Sequence, residues 1–214
     1  MIICGVDEAG RGPVIGPMVM VGCNIEQKDE KLLKELGVAD SKKLSPAKRE
    51  ELFDKIIALV KYEVEILTPQ IIDAALNDPY LNLNKLEALA TARLLNKLKP
   101  QKAFIDLPTK DASTYIAEIN KSADVDVDIV AEHKADDNYA ICSAASILAK
   151  VIRDKEIQKI KDEFGIDIGS GYPSDQKTRD FLKNNYKKYD FFRKTWQTYK
   201  DVADAKKQKK LGEF

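Results

Sequence analysis

Within its first thirteen residues the chain sets two acids directly before a glycine-bracketed arginine: Asp7-Glu8-Ala9-Gly10-Arg11-Gly12-Pro13. Gly10 and Gly12 let the backbone approach a ligand closely, and Arg11 adds a fixed positive charge beside the two carboxylates. Asp106, Asp136 and Asp137 are further acids that could join them. Carboxylates brought together repel one another and are costly unless a cation neutralises them. Hard oxygen donors with no Cys or His beside them select Mg²⁺ or Mn²⁺ over Zn²⁺, and such ions commonly act on phosphate. The plain alternative is a set of exposed strand-end acids that face solvent or cap helices, since the chain has 35 Asp and Glu in all.

Other chemistries are poorly supplied. His133 is the only histidine, and Cys4, Cys23 and Cys142 form no C-x-x-C. That excludes a disulfide framework, a Cys/His zinc site and any nucleophilic triad centred on another histidine. His133 lies three residues before Asp136, close enough to suggest a general base, but a strand-end histidine is more often structural. With 214 residues, 44% of them hydrophobic, and 35 basic against 35 acidic side chains, the composition is that of a soluble globular chain able to bury roughly 70% of its unfolded surface. The longest uncharged run, 12–25, holds two prolines and falls short of the roughly 20 apolar residues a membrane span needs. The N-terminus lacks the basic region of a secretory signal, so a cytoplasmic location is expected.

The acids need elements to position them. Residues 2–6 and 18–25 read as two β-branched strands joined across a Gly/Pro-rich stretch, which sets Asp7 and Glu8 at the end of the first. Helical spacing covers 31–36 and 46–60, the second with Ser45 as N-cap and Pro46 at its first position. Strands are expected at 62–67, at 102–105, which delivers Asp106, and at 125–130. Helices are expected at 83–98, at 111–120 and from about 138 to 161. The last of these opens with small residues suited to close packing on a sheet. This order predicts an α/β fold with about five strands.

The last segment differs in character. Residues 177–214 hold 12 Lys and Arg against 5 Asp and Glu, and 8 of the chain's 16 aromatics. Basic residues interleaved with rings suit nucleic acid, whereas a helical extension whose rings pack on a core is the structural alternative.

At this point the residues resemble a known family. Asp7-Glu8-Ala9-Gly10-Arg11-Gly12-Pro13 followed by Gly16-Pro17 resembles the N-terminal motif of ribonuclease HII, the type 2 ribonuclease H, in its archaeal-like form. Asp40-Ser41-Lys42-Lys43-Leu44, Asp106, the block from Lys134-Ala135-Asp136 through Ser143-Ala144-Ala145-Ser146 to Lys150, and Gly169-Ser170-Gly171-Tyr172-Pro173-Ser174-Asp175 follow in family order. These blocks extend over nearly the whole chain.

The resemblance implies a ribonuclease H-like fold, a mixed five-stranded sheet flanked by helices, with residues 1–176 as the catalytic domain and 177–214 as a helical extension packed on it. It implies that Asp7, Glu8, Asp106 and Asp136 hold two Mg²⁺ or Mn²⁺ ions, Asp137 being a helix-start acid. The implied substrates are RNA/DNA hybrids and duplex DNA carrying single ribonucleotides, cut on the 5′ side to leave a 5′-phosphate and a 3′-hydroxyl. Gly10, Arg11 and Gly12 resemble the family's backbone reader of the 2′-hydroxyl, the group that separates RNA from DNA locally. Tyr172 resembles the family tyrosine that bonds this hydroxyl and stacks on the next deoxyribose; by itself it reads as a turn residue. Ser41, Lys42 and Lys43 would contact phosphate, though without the family context two lysines in a loop are solvated surface. Lys150 and Arg153 could face phosphate or simply pack. A monomer is expected, with no membrane partner. A sliding-clamp contact lacks a clear motif at the end of the chain. The rival reading is a non-catalytic module for hybrid or single-stranded nucleic acid. A type 1 or type 3 ribonuclease H is a third reading, disfavoured by Gly10-Arg11-Gly12 and Tyr172.

Overall fold

The structure, a computed structural model, describes residues 1–38 and 44–211. The chain divides into two compact units, one of Met1–Ala9, Val19–Ile66 and Leu83–Ile152, the other of Gly10–Met18, Leu67–Asn82 and Arg153–Phe214.

A five-stranded sheet organises the first unit. Strands β1 (Ile2–Ala9), β2 (Met18–Glu26), β3 (Lys61–Leu67), β4 (Lys102–Asp106) and β5 (Asp128–Glu132) lie in the order β3-β2-β1-β4-β5. β1 and β2 pair antiparallel from Ile2↔Glu26 to Ala9↔Val19, the hairpin-like return expected of two adjacent apolar runs. β1, β4 and β5 run parallel. Such pairing requires crossover connections, and the chain supplies helices: α1 (Glu30–Glu35), α2 (Pro46–Ile57), α4 (Leu83–Leu98) and α5 (Ala112–Asn120). The sheet thus has the predicted mixed α/β form.

Helix α7 (Ala140–Phe164) follows the short α6 (Ala135–Asn138). The first turns of α7 pack Ile141, Ala144, Ala145 and Leu148 with Val19, Val21 and Cys23 of β2, and with Leu33, Leu52 and Ile56 of α1 and α2. Small residues matter here because the backbones come close. A Cβ on Gly5 of β1 would stand 2.4 Å from the carbonyl carbon and oxygen of Ile141. On the opposite side of the hairpin, a Cβ on Gly22 would come within 2.8 Å of Leu98 in α4.

Three local readings change. The last strand begins at Asp128, where it meets Lys102 of β4, because β4 offers ladder partners only from there. The expected long helix begins at Ala140 and is preceded by a separate short helix, α6, which carries Asp136. An additional helix, α3 (Pro69–Asn77), follows Thr68, whose hydroxyl accepts from the Ile71 amide; Thr68-Pro69 repeats the cap-and-proline signature of Ser45-Pro46.

The second unit has its own core. Val14, Ile15, Ile157 and Ile168 pack with Leu182 of α8 (Gln176–Asn185) and with Phe191 and Phe192. Phe181, Tyr186, Tyr189, Trp196 and Tyr199, the last from α9 (Gln197–Leu211), pack against that cluster. Seven of the segment's eight aromatics, all but Phe214, which lies outside the described residues, therefore form or pack against a core, with stacked or edge-on pairs such as Tyr189–Phe191 at 4.8 Å, as in the structural alternative. The Asp73 carboxylate accepts from the amides of Lys194 and Thr195 and from the Thr195 hydroxyl, which anchors the segment before α9.

Gly5→Ala is expected to lower stability by about 3 kcal/mol or more, since the clash is with backbone and cannot be relieved by a rotamer change. Urea denaturation checks it; an unchanged midpoint would mean that β1 and α7 are not in such close contact.

Candidate active site

The acids of the first unit are set by its topology. On a strand alternate residues share a face, so Asp7 projects to the same side as Gly5, toward α7. There the Ser146 hydroxyl donates to its carboxylate, which also accepts from the Glu8 amide at 2.7 Å. Lys150 Nζ reaches Ser146 Oγ at 3.4 Å. Asp7 is only 6% exposed. Glu8, next along the strand, projects to the other face and is half-buried.

Asp106 is the last residue of β4 and lies opposite Glu132 of β5. Its Oδ1 accepts from the Ala135 amide at 3.1 Å, which ties the end of β4 to the start of α6. The chain enters α6 through Lys134 at φ +61, a left-handed conformation uncommon for a residue with a Cβ. One residue on, Asp136 is buried while Asp137 is exposed. This separates two adjacent aspartates that type alone could not distinguish.

The charges of two other acids reach Asp7. Burial pushes the Asp7 carboxyl up to about 7, the Ser146 bond opposes the rise, and the charges of Asp106 and Asp136 add to it. Asp7 thus lies within the fields of Asp106 and Asp136. Among the described residues no group of three or more His, Cys, Asp or Glu side chains is arranged to hold a metal ion as it stands. The donor chemistry nevertheless fits a hard divalent ion. The thiols of Cys4, Cys23 and Cys142 are buried and protonated, burial pushing Cys4 up to about 12, and His133 is exposed. Oxygen donors are what remain beside Asp7.

In the second unit the residues of the glycine-bracketed turn are held from beneath. Arg193, fully buried, donates from Nη2 to the Gly10 carbonyl at 2.6 Å, from Nη1 to that of Arg11 at 3.0 Å and from Nε to that of Gly16 at 2.9 Å. Trp196 Nε1 donates to the Gly12 carbonyl at 3.1 Å, and the Arg193 guanidinium lies 4.8 Å from the Trp196 ring. Burial, then the like charge of Arg153, lower the Arg193 pKa to about 9. A trans peptide points its N–H opposite to its C=O, so with the carbonyls of Gly10 and Arg11 turned to Arg193, the amides of Arg11 and Gly12 point the other way. Gly10 takes φ +82, as this turn requires.

Tyr172 lies in a separate, tightly bonded turn. Gly169 and Gly171 have positive φ, the Gly171 amide donates to Thr178 Oγ1, and the Ser170 amide donates to Asp175. The Gly171 carbonyl accepts from the amides of Val14 and Ile15. Tyr172 is 38% exposed, and a Cβ on Gly12 would stand 3.8 Å from its Cε1. The structure therefore brings Gly10, Arg11, Gly12 and Tyr172 together. Ser41, Lys42 and Lys43 lie outside the described residues. Arg193 escapes sequence reasoning because nothing in Phe191-Phe192-Arg193 separates a buried arginine from an exposed one; Ser146 reads there only as a small packing residue.

Known proteins bear on these observations. The family model for ribonuclease HII matches residues 4–199. A ribonuclease HII of Thermococcus onnurineus is 45% identical over 98% of this chain and 94% of its own length. Among solved structures, the ribonuclease H2 of Pyrococcus horikoshii superposes with a TM-score of 0.87 at 42% identity, over 96% of this chain and 98% of that one. The ribonuclease HII of Archaeoglobus fulgidus, solved in a PCNA complex, gives 0.85 at 38% identity over 94% and 96% of the two chains.

Because folded Asp7 holds its proton more tightly than the unfolded chain does, its contribution favours folding at pH 4 and is lost as pH rises through about 7. Without divalent ions, Asp7→Asn is expected to raise the melting temperature at pH 8 by roughly 5 °C and to flatten the pH dependence between 4 and 7. Calorimetry across that range checks it. A variant less stable than the parent at pH 8 would show that the buried charge is compensated.

Proposed function

The chain belongs to the ribonuclease HII family, metal-dependent ribonucleases acting on RNA/DNA hybrids, and on that premise we propose that it cuts on the 5′ side of a ribonucleotide at an RNA–DNA junction. Single ribonucleotides embedded in duplex DNA are among the proposed substrates, with a 5′-phosphate and a 3′-hydroxyl as products. The observation that carries this reading is Asp7, buried on β1 and facing the charges of Asp106 and Asp136.

In this reading Asp7, Glu8, Asp106 and Asp136 hold two divalent ions, Mg²⁺ or Mn²⁺. When bound, such ions activate the attacking water and neutralise charge on the leaving oxygen. The protein's own part is to keep the carboxylates in place: β1 carries Asp7 and Glu8, Ser146 holds the Asp7 carboxylate, and the Asp106–Ala135 bond holds the turn that leads to Asp136.

Selectivity requires sensing a 2′-hydroxyl on one nucleotide and its absence on the next. We assign the first task to the outward amides of the Gly10-Arg11-Gly12 turn, supported by the capture of the carbonyls by Arg193 and Trp196. Tyr172 bonds the hydroxyl and lays its ring on the following deoxyribose. Ser41, Lys42 and Lys43 contact phosphates. A PCNA contact of the kind seen for the Archaeoglobus fulgidus chain is carried over on likeness alone, as the end of this chain shows no clamp-binding run of glutamine, aliphatic and paired aromatic residues. A non-catalytic binding module is the weaker reading, because the rings of the basic segment are engaged in a core.

The test uses an end-labelled DNA duplex with one ribonucleotide and, in parallel, an all-RNA strand hybridised to DNA, each with Mg²⁺, Mn²⁺ or EDTA. A single divalent-dependent cut 5′ to the ribonucleotide is expected. Asp7→Asn should lower cleavage by 10³-fold or more, on the order of 4 kcal/mol of lost transition-state stabilisation, while duplex binding persists. Tyr172→Ala should lose preference for the junction more than overall activity. Binding without cutting by the wild-type chain would sink the proposal.

A further inference from the structure

Arginine is seldom fully buried, and when it is, its five N–H donors need acceptors. Arg153, on α7, is 5% exposed. Its Nη2 donates to the Ser170 carbonyl at 2.9 Å, and Nη1 stands 3.6 Å from Asp154, whose carboxylate is mostly in solvent. Nε is buried and has no hydrogen-bond partner among the described residues. Methionine would fill a similar volume without the cost of burying this charge.

The surroundings of the guanidinium point to its use. It lies over the Tyr172 ring, 5.0 Å from the centroid. Two glycines of positive φ make room for it from two different segments. A Cβ on Gly10 would stand 2.9 Å from Arg153 Nε, and a Cβ on Gly171 would stand 3.1 Å from Arg153 Nη2. Arg153 thus touches the start of the glycine-bracketed turn, the residue before Tyr172 and the Tyr172 ring itself. Tyr172 itself stays 38% exposed, which leaves it open to a sugar contact.

We propose that Arg153 is a positioning residue for junction selectivity: its guanidinium fixes the Tyr172 ring and joins it to the Gly10-Arg11-Gly12 turn, so that hydroxyl sensing and deoxyribose stacking act as one rigid unit. This rests on the junction-cleaving reading above. A cation over an aromatic face fixes the ring more firmly when it is desolvated, as it is here. The planar fork adds a second tether through Ser170 that a lysine could not reproduce in the same geometry.

The experiment compares wild type, Arg153→Met, Arg153→Lys, Tyr172→Ala and the Arg153→Met/Tyr172→Ala double variant. The readout is the ratio of kcat/KM on the single-ribonucleotide duplex to that on the all-RNA hybrid, with melting temperatures recorded alongside. Arg153→Met is expected to lower this ratio roughly tenfold while cleavage of the long hybrid changes little. Arg153→Lys should fall between the two and serves as the readout if the methionine variant does not fold. In the Tyr172→Ala background, Arg153→Met should have no further effect on the ratio. Equal losses on both substrates, or additive losses in the double variant, would overturn the proposal and leave Arg153 a packing residue.

A readout independent of cleavage is ¹⁹F NMR of protein carrying 3-fluorotyrosine, with the residue-172 signal assigned from Tyr172→Phe. That signal should shift and change in width in Arg153→Met; an unchanged signal would refute the hold on the ring. A wild-type chain that cuts both substrates alike would remove the junction reading and the selectivity role together, and the fluorine signal would then decide whether Arg153 fixes the ring at all.

Discussion

Burying a carboxylate among other carboxylates is among the least favourable arrangements a fold can make, and the first unit is built around one. Asp7 loses hydration on β1 and meets the fields of Asp106 and Asp136, with the Ser146 hydroxyl as partial compensation. The arrangement costs stability in the chain alone and would become favourable with a divalent ion in the proposed position supplying the missing charge. Much of the neighbouring structure serves this one constraint. The absent side chain at Gly5 lets α7 approach closely enough for Ser146 to reach Asp7, and parallel pairing of β1 with β4 sets Asp106 beside the same end of the sheet.

The second unit meets an opposite constraint, burial of positive charge. Arg193 and Arg153 both lie inside it, and each lowers the cost by binding backbone carbonyls. The consequence for Arg193 is directional: three carbonyls are drawn toward one guanidinium, and a planar peptide then has no choice about where its amides point. A turn that offers only donors on one side is suited to an oxygen acceptor such as a hydroxyl. Glycine at 10 is required twice over, by φ +82 and by the guanidinium edge that fills the place of its Cβ.

How much of this was legible in the sequence differs between the units for physical reasons. Sheet strands, the caps of α2 and the carboxylates at strand ends follow from local patterns of period, cap and turn, and these the amino-acid order displays directly. β5 begins three residues later than its apolar pattern predicts, because strand bounds depend on the partner and β4 offers ladder partners only from Lys102. The separate short helix α6 is not legible because Asp136 and Asp137 read equally well as acids at the start of the long helix. The aromatic run of the basic segment was ambiguous in kind: rings that stack on bases and rings that stack on one another have the same composition. Only their packing with Val14, Ile15 and Ile168 decides between the two.

Buried arginine is the feature that sequence handles worst. Nothing local distinguishes Arg153 or Arg193 from the many exposed basic residues around them, since what buries them is the acceptor geometry of segments far away in the chain. Arg153 lies in α7 yet meets Gly10 at one end of the sequence and Gly171 toward the other. In the proposed reading, a residue of this kind links two recognition elements that the sequence shows as separate motifs. If a hydroxyl sensor and a sugar-stacking ring moved independently, each would accept its own nucleotide regardless of the other's choice. Selectivity for a junction demands that the two be read together, and a shared rigid contact is the simplest physical means of enforcing that.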